Sequence, residues 1–142
     1  MKVVAVSISE KKGTKKRPVE YIKLIEDYGI DGDAHAGKWH RQVSLLAQES
    51  MERMKEKLPT LSAGDFAENI LTEGLTLYTL PIGTVLKIGE CLLEVTQIGK
   101  ECHLGCEIRH IVGDCVMPRE GIFTKVLKGG KIKSEDKIEI LK

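Results

Sequence analysis

Only one stretch of this chain keeps a helical spacing of apolar residues over several turns. It is Gln48 to Leu58, where Met51, Met54 and Leu58 recur at three and four residues with charges between them. Pro59 follows as its stop. Elsewhere glycines and prolines cut the sequence into short apolar runs. Val3 to Ile8 is rich in β-branched residues and predicts a strand. Gln42 to Leu46 predicts a buried strand, and Val19 to Tyr28 fits either a short strand or a helical turn. Thr84 to Ile88 and Cys91 to Ile98 flank Gly89-Glu90, a pair suited to the type II′ turn of a hairpin. Pro118 to Leu127 predicts a short helix, with Pro118 in its first turn, Ile122 and Val126 on one face and Gly129 after its end. Lys131 to Lys133 and Ile138 to Leu141 read as short closing strands. Many short strands and few helices point to a mainly β fold, a barrel or sandwich decorated by short helices.

Length and charge narrow the function classes. The 142 residues fit a single domain, residues 1 to 142, large enough to bury a core without disulfides. Twenty-two basic against 21 acidic side chains give a net charge of +1, which argues against a nucleic-acid partner. A local basic excess, Lys11, Lys12, Lys15, Lys16 and Arg17, reads as a solvated, mobile loop, or as an attraction for a small phosphorylated ligand or acidic partner. The opening MKVVAVSISEKKG lacks a signal-peptide core, and no stretch approaches the roughly 18 apolar residues of a membrane span. The expectation is a cytoplasmic protein without a membrane partner, whose four cysteines are thiols.

The densest chemistry lies in Cys102-His103-Leu104-Gly105-Cys106, followed by His110 and Cys115. Lys100, His103, Arg109 and Arg119 lie close in sequence and would favour a thiolate, and Gly99, Gly105 and Gly113 let backbone N–H groups approach an anion. A second reading makes Cys102, Cys106, His110 and Cys115 the ligands of a structural zinc, although the usual CxxC knuckle is missing. A third makes them small apolar core residues, the reading adopted for Cys91.

Three further segments carry polar candidates. GIDGDAHAG, residues 29 to 37, is a loop in which Asp33 and His35 either cap a turn or rim a ligand. His40 and Arg41 lead into a strand and read either as solvated surface or, for Arg41, as a group aimed at a phosphate or carboxylate. Glu68 and Asn69, in the polar loop Ser62 to Asn69, either bridge loops or read a heteroaromatic edge. Arg119 and Glu120 stand at the start of the expected helix, either as a first-turn pair with Glu120 near the positive helix end or with Arg119 and the helix N-terminus forming an anion site. Walker-loop, GxGxxG, HExxH and GxSxG patterns are absent from the sequence.

The blocks GIDGDAHAG, HRQVSLL, GDFAENI, IGTVLKIGECLLEVTQIGKECH and CVMPREGIF, in order from Gly29 to Phe123, resemble the MOSC domain, named for the C-terminal domain of molybdenum cofactor sulfurases. The similarity is to the stand-alone prokaryotic type. It implies a β-barrel fold and a role in binding the molybdenum cofactor (molybdopterin) or carrying sulfur to it through a cysteine persulfide. In that family the cysteine follows a strand, which in TQIGKECH points to Cys102, with Cys106 and Cys115 as further candidates. Asp33, His35, Arg41, Glu68, Asn69 and Arg119 would line the cofactor pocket. A pyridoxal-phosphate site of its own is not expected, so sulfur would come from a separate cysteine desulfurase and go to a molybdenum enzyme or a cofactor-synthesis protein. The alternatives are a non-catalytic cofactor-binding or chaperone module and a small structural zinc protein.

Overall fold

A computed structural model describes residues 1–10, 16–56, 59–64, 66, 68–99 and 120–141. Eleven strands and one short α-helix order these residues. The strands are β1 (Lys2–Ile8), β2 (Arg17–Val19), β3 (Tyr21–Ile25), β4 (Gly29–Ile30), β5 (Val43–Ala47), β6 (Ile70–Glu73), β7 (Val85–Ile88), β8 (Cys91–Ile98), β9 (Ile122–Lys128), β10 (Gly130–Lys133) and β11 (Ile138–Ile140), and the helix is α1 (Gln48–Met54). A single 3-10 turn spans Leu77–Thr79. No helix among the described residues is long and apolar enough to cross a membrane.

Eight strands form one sheet in the order β11-β7-β8-β9-β5-β6-β1-β2, and β10-β3-β4 form a second. Neighbours in the large sheet are antiparallel except β5 and β6, which run parallel and are connected through α1. A parallel pair needs such a crossover. β5 lies at the centre and is buried along its whole length, as expected of a strand covered on both faces. Leu45 faces the principal core, where Val3, Val6, Ile70, Leu93, Val95, Ile122 and Val126 meet Ile22, Leu24, Ile30 and Ile132 of the small sheet. Its neighbour Leu46 faces a second cluster with Met51 and Met54 of α1, Leu61, Phe66, Leu71 and Phe123. The alternation of side chains along a strand thus splits adjacent leucines between two cores.

The fold is mainly β, but the sheet does not close into a barrel. The outer edge of β1 is occupied at Val6–Ile8 by β2. Only its first residues remain for the C-terminal segment, which meets them through one isolated bridge, Lys2 to Lys137, and through main-chain bonds such as Val3 N to Asp136 O at 2.9 Å. Glu135, whose φ of 78° marks a sharp turn, leads the chain into that contact, and from Ile138 onward β11 pairs with β7.

The hairpin β7–β8 turns at Gly89-Glu90, with Ile88 opposite Cys91. Gly89 has φ of 57° while Glu90 keeps a negative φ, the combination of signs expected for a type II′ turn. Val19 to Tyr28 resolves as strand: β3 buries Ile22 and Leu24 and exposes their neighbours. α1 ends at Met54, and Leu58 lies outside the described residues. The helix expected over Pro118 to Leu127 is corrected from Ile122; Glu120 is helical, and Pro118 and Arg119 lie outside the described residues. From Ile122 onward the chain is strand β9, paired with both β5 and β8. Ile122, Phe123, Thr124 and Val126 are all buried, so two flanking ladders override the weak helical spacing of Ile122 and Val126.

Candidate functional site

The GIDGDAHAG loop folds around Asp33. Its Oδ1 accepts the Ser9 N–H at 3.1 Å and the Lys16 ammonium at 2.8 Å, and its Oδ2 accepts the His35 N–H at 3.1 Å. Neither the Lys16 nor the Asp33 side chain has any exposed area. Burial pushes the Asp33 carboxyl up. The nearby His35 side chain, whose Nδ1 at 3.7 Å from Oδ2 is longer than a hydrogen bond, the Lys16 hydrogen bond and charge, and the Ser9 amide outweigh it and hold the carboxyl well below the usual range. Lys16 Nζ also lies 3.2 Å from Ser9 Oγ and 3.1 Å from His35 Nδ1.

Lys16 is therefore not part of a solvated loop, although its neighbour Arg17 is exposed. Lys11, Lys12 and Lys15 lie outside the described residues. What draws Lys16 inward is a main-chain clasp as well as the carboxylate. Its N–H donates to Gly64 O at 2.8 Å. Gly64 has φ of 90°, and a Cβ there would stand 2.0 Å from Lys16 O. Glu68 holds this turn from below, accepting the Gly64 N–H at 2.6 Å and the Phe66 N–H at 3.2 Å. Asn69, fully buried, joins three strands: its Oδ1 accepts from the Ser44 N–H at 3.0 Å and its Nδ2 donates to Ser7 O at 3.1 Å. In this geometry Glu68 and Asn69 bond the backbone that carries the site.

A second group gathers beside the first. Trp39 Nε1 donates to His35 O at 2.7 Å, and the two rings are parallel with centroids 6.3 Å apart. The Arg41 guanidinium lies 5.9 Å from the Trp39 ring and 5.3 Å from the Phe123 ring, a cation–π arrangement that fixes its plane. Arg41 Nε donates to Gln97 Oε1 at 3.0 Å, and His40 Nε2 lies 2.8 Å from the same oxygen. Among the described residues the terminal nitrogens of Arg41 have no hydrogen-bond partner. Gln97 Nε2 in turn donates to Gly99 O at 2.7 Å.

Gly99 is where the chain enters residues 100–119, and its N–H donates to Gly121 O at 2.7 Å. Both ends of that segment are thus pinned together at the ends of β8 and β9, next to Arg41. Glu120 ties the exit to α1, accepting from Ser50 Oγ at 2.7 Å and pairing with Arg53. Cys102, Cys106, Cys115 and Arg119, with His103 and His110, lie outside the described residues. Among the described residues no three histidine, cysteine or acidic side chains group to hold a metal ion. The remaining cysteine, Cys91, is buried in the core; burial first, then the Glu90 and Asp136 carboxylates, push its thiol up to about 11.

The structure thus brings Asp33, His35 and Arg41 to one region and sets Glu68 and Asn69 behind it. Sequence reasoning missed Lys16, Trp39 and Gln97. Lys16 was hidden in a lysine run. Trp39 had one signal, as the sole tryptophan of the chain, three residues from GIDGDAHAG's last alanine.

The model of the MOSC domain family matches residues 32–139. Among solved structures, the YuaD protein from Bacillus subtilis superposes with a TM-score of 0.80 at 19% identity, covering 98% of this chain and 94% of that one. YiiM from Geobacillus stearothermophilus gives 0.75 at 18% identity, over 99% and 75% of the two chains, and YiiM from Escherichia coli gives 0.70 at 20% identity, over 100% and 70%. No curated protein matches the sequence.

Proposed function

This chain belongs to the MOSC domain family, and on that premise we propose that it binds the molybdenum cofactor and carries sulfur for it on a cysteine of residues 100–119. The family is associated with that cofactor. The observation that carries the reading is the Gly99–Gly121 closure beside Arg41. It gives a cysteine-bearing segment a common root with an open guanidinium.

The described residues suit molybdopterin, which is anionic through its phosphate and flat in its ring. Among the described residues the terminal nitrogens of Arg41 have no hydrogen-bond partner, and its guanidinium lies against two aromatic rings, an arrangement suited to directed binding of a phosphate. Trp39 offers an exposed indole for stacking. When bound, the cofactor supplies the molybdenum centre that accepts sulfur. The chain's part is to orient the cofactor by its anionic and ring groups and to supply the thiol.

Loading follows thiol–disulfide chemistry. A thiolate of this chain attacks the outer sulfur of a desulfurase persulfide. The donor's S–S bond breaks, its own cysteine leaves as thiolate, and a new S–S bond leaves the persulfide here. Cys102 is the first candidate, with Cys106 and Cys115 as further candidates. Cys91 is unsuited, because a buried thiol raised to about 11 supplies almost no thiolate near neutral pH.

The test is intact-mass analysis after incubation with a cysteine desulfurase and cysteine, on the wild type and on Cys102→Ser, Cys106→Ser and Cys115→Ser. The expected result is a gain of one sulfur that vanishes in one variant. A wild type that gains none overturns the carrier half. Unchanged molybdopterin retention in Arg41→Ala overturns the binding half.

A further inference from the structure

We propose that Lys16 is a positioning residue that fixes His35 as its Nε2–H tautomer, so that the GIDGDAHAG loop presents a neutral hydrogen-bond donor to an anionic, acceptor-rich ligand. This deepens the cofactor reading above and rests on it only for the identity of the ligand.

Lys16 Nζ carries three N–H donors and no acceptor. The atoms with lone pairs within hydrogen-bonding distance of it include Asp33 Oδ1 at 2.8 Å, Ser9 Oγ at 3.2 Å and His35 Nδ1 at 3.1 Å. The Asp33 carboxylate keeps the lysine charged, because both side chains are fully enclosed and a lone charge there would be costly. An ammonium beside Nδ1 requires Nδ1 to accept. In a neutral imidazole the proton then sits on Nε2.

The competing arrangement would have Nδ1–H donate to Asp33. The distances oppose it. His35 Nδ1 lies 3.7 Å from Asp33 Oδ2, outside hydrogen-bonding range, and that oxygen already accepts the His35 main-chain N–H at 3.1 Å. The His35 backbone is held too, since its O accepts from Trp39 Nε1, and the two rings lie parallel with centroids 6.3 Å apart. The imidazole keeps 18% of its side-chain area exposed, and Nε2 has no partner among the described residues. A histidine set this way donates at Nε2 and cannot act there as a base. It selects a phosphate or oxo oxygen over a group that presents its own N–H.

The tautomer is read directly by long-range 15N–1H correlation spectra of the full chain labelled with 15N, with the His35 signals identified by their loss in His35→Gln. The expected wild-type pattern is an unprotonated Nδ1 and a proton-bearing Nε2, and in Lys16→Met the expected change is a mixture or a shift of the proton to Nδ1. A wild-type proton on Nδ1, or a tautomer unchanged in folded Lys16→Met, overturns the proposal; the wild-type spectrum decides it even where the variant does not fold. The ligand side uses purified molybdopterin as probe. A Gln amide reaches as far as Nε2 and an Asn amide only as far as Nδ1. His35→Gln is therefore expected to bind within about two-fold of wild type and His35→Asn at least about ten-fold more weakly. Equal retention in both overturns the donor role. A wild type that binds no molybdopterin overturns the cofactor reading instead, while the spectra still decide the role of Lys16.

Discussion

The ammonium of Lys16 sits 2.8 Å from the Asp33 carboxylate, and water reaches neither side chain. A pair enclosed in this way is costly to halve. Lys16→Met leaves Asp33 charged and without its Lys16 ammonium, and the expected loss is about 3 to 5 kcal/mol in urea unfolding. Lys16→Met combined with Asp33→Asn removes both charges and is expected to recover more than half of that loss. Additive effects in the two single variants and the double would show that the two groups do not interact.

The same pair makes stability depend on acid. Asp33 has its carboxyl depressed in the folded state relative to its ordinary value of 3.8. Its contribution is therefore complete above the unfolded value and is lost as pH falls through about 4 and below. Wild type should lose stability over that window more steeply than Asp33→Asn. Parallel curves for the two proteins in acid denaturation would contradict this.

Gly64 and Gly83 separate two costs of adding a methyl group. Both have positive φ, 90° and 96°, but a Cβ at Gly64 meets Lys16 O at 2.0 Å whereas one at Gly83 meets nothing within 4 Å. Gly83→Ala should cost about 1 kcal/mol, from backbone strain alone. Gly64→Ala should cost at least about 2 kcal/mol more, because Lys16 must move off its clasp. Thermal unfolding of the two variants measures the difference.

Cys91 should resist alkylation. Its thiol is enclosed in the core and raised to about 11, so at pH 8 iodoacetamide should label it only after denaturation. Peptide mapping of native and unfolded protein gives the answer. Rapid native labelling at Cys91 would mean that the β7–β8 hairpin opens readily.

Arg41 should contribute to ligand affinity more than to stability. Its Nε has one protein partner, Gln97, and its plane rests on Trp39 and Phe123. Arg41→Ala is expected to weaken molybdopterin binding by roughly 10- to 100-fold, the loss of a charge-assisted hydrogen bond worth about 1.5 to 3 kcal/mol. Arg41→Lys should fall short of wild type too, because an ammonium lacks the planar fork. Equilibrium binding of the three proteins tests both statements.

Much of the fold was legible in the chain. The punctuation by glycine and proline marked the hairpin β7–β8 and the run of β5, since a two-residue turn and a continuous apolar strand depend on local geometry alone. GIDGDAHAG declared itself a loop, and the five spaced blocks carried the family. Asp33, His35 and Arg41 were visible as polar residues in such segments, and the structure brings them to one region.

The remainder needed the tertiary structure. Ile122 to Lys128 has a composition that suits helix and strand alike, and the ladders with β5 and β8, distant in sequence, make it a strand. Whether the sheet closes depends on which partner takes the outer edge of β1, and β2 takes Val6–Ile8 of it while the C-terminal segment meets it through one isolated bridge. Lys16 shows the same limit most clearly. In the sequence it is one lysine among four, and charge alone assigns all of them to solvent. Asp33 is 17 residues away and Gly64 is 48 residues away, and no local pattern announces that they will meet it. The sequence by itself determined which residues were able to form strands, loops and a polar rim, because those depend on near neighbours. The tertiary structure decided which lysine is buried and what it faces, because desolvation and pairing of a charge depend on groups brought together only by folding.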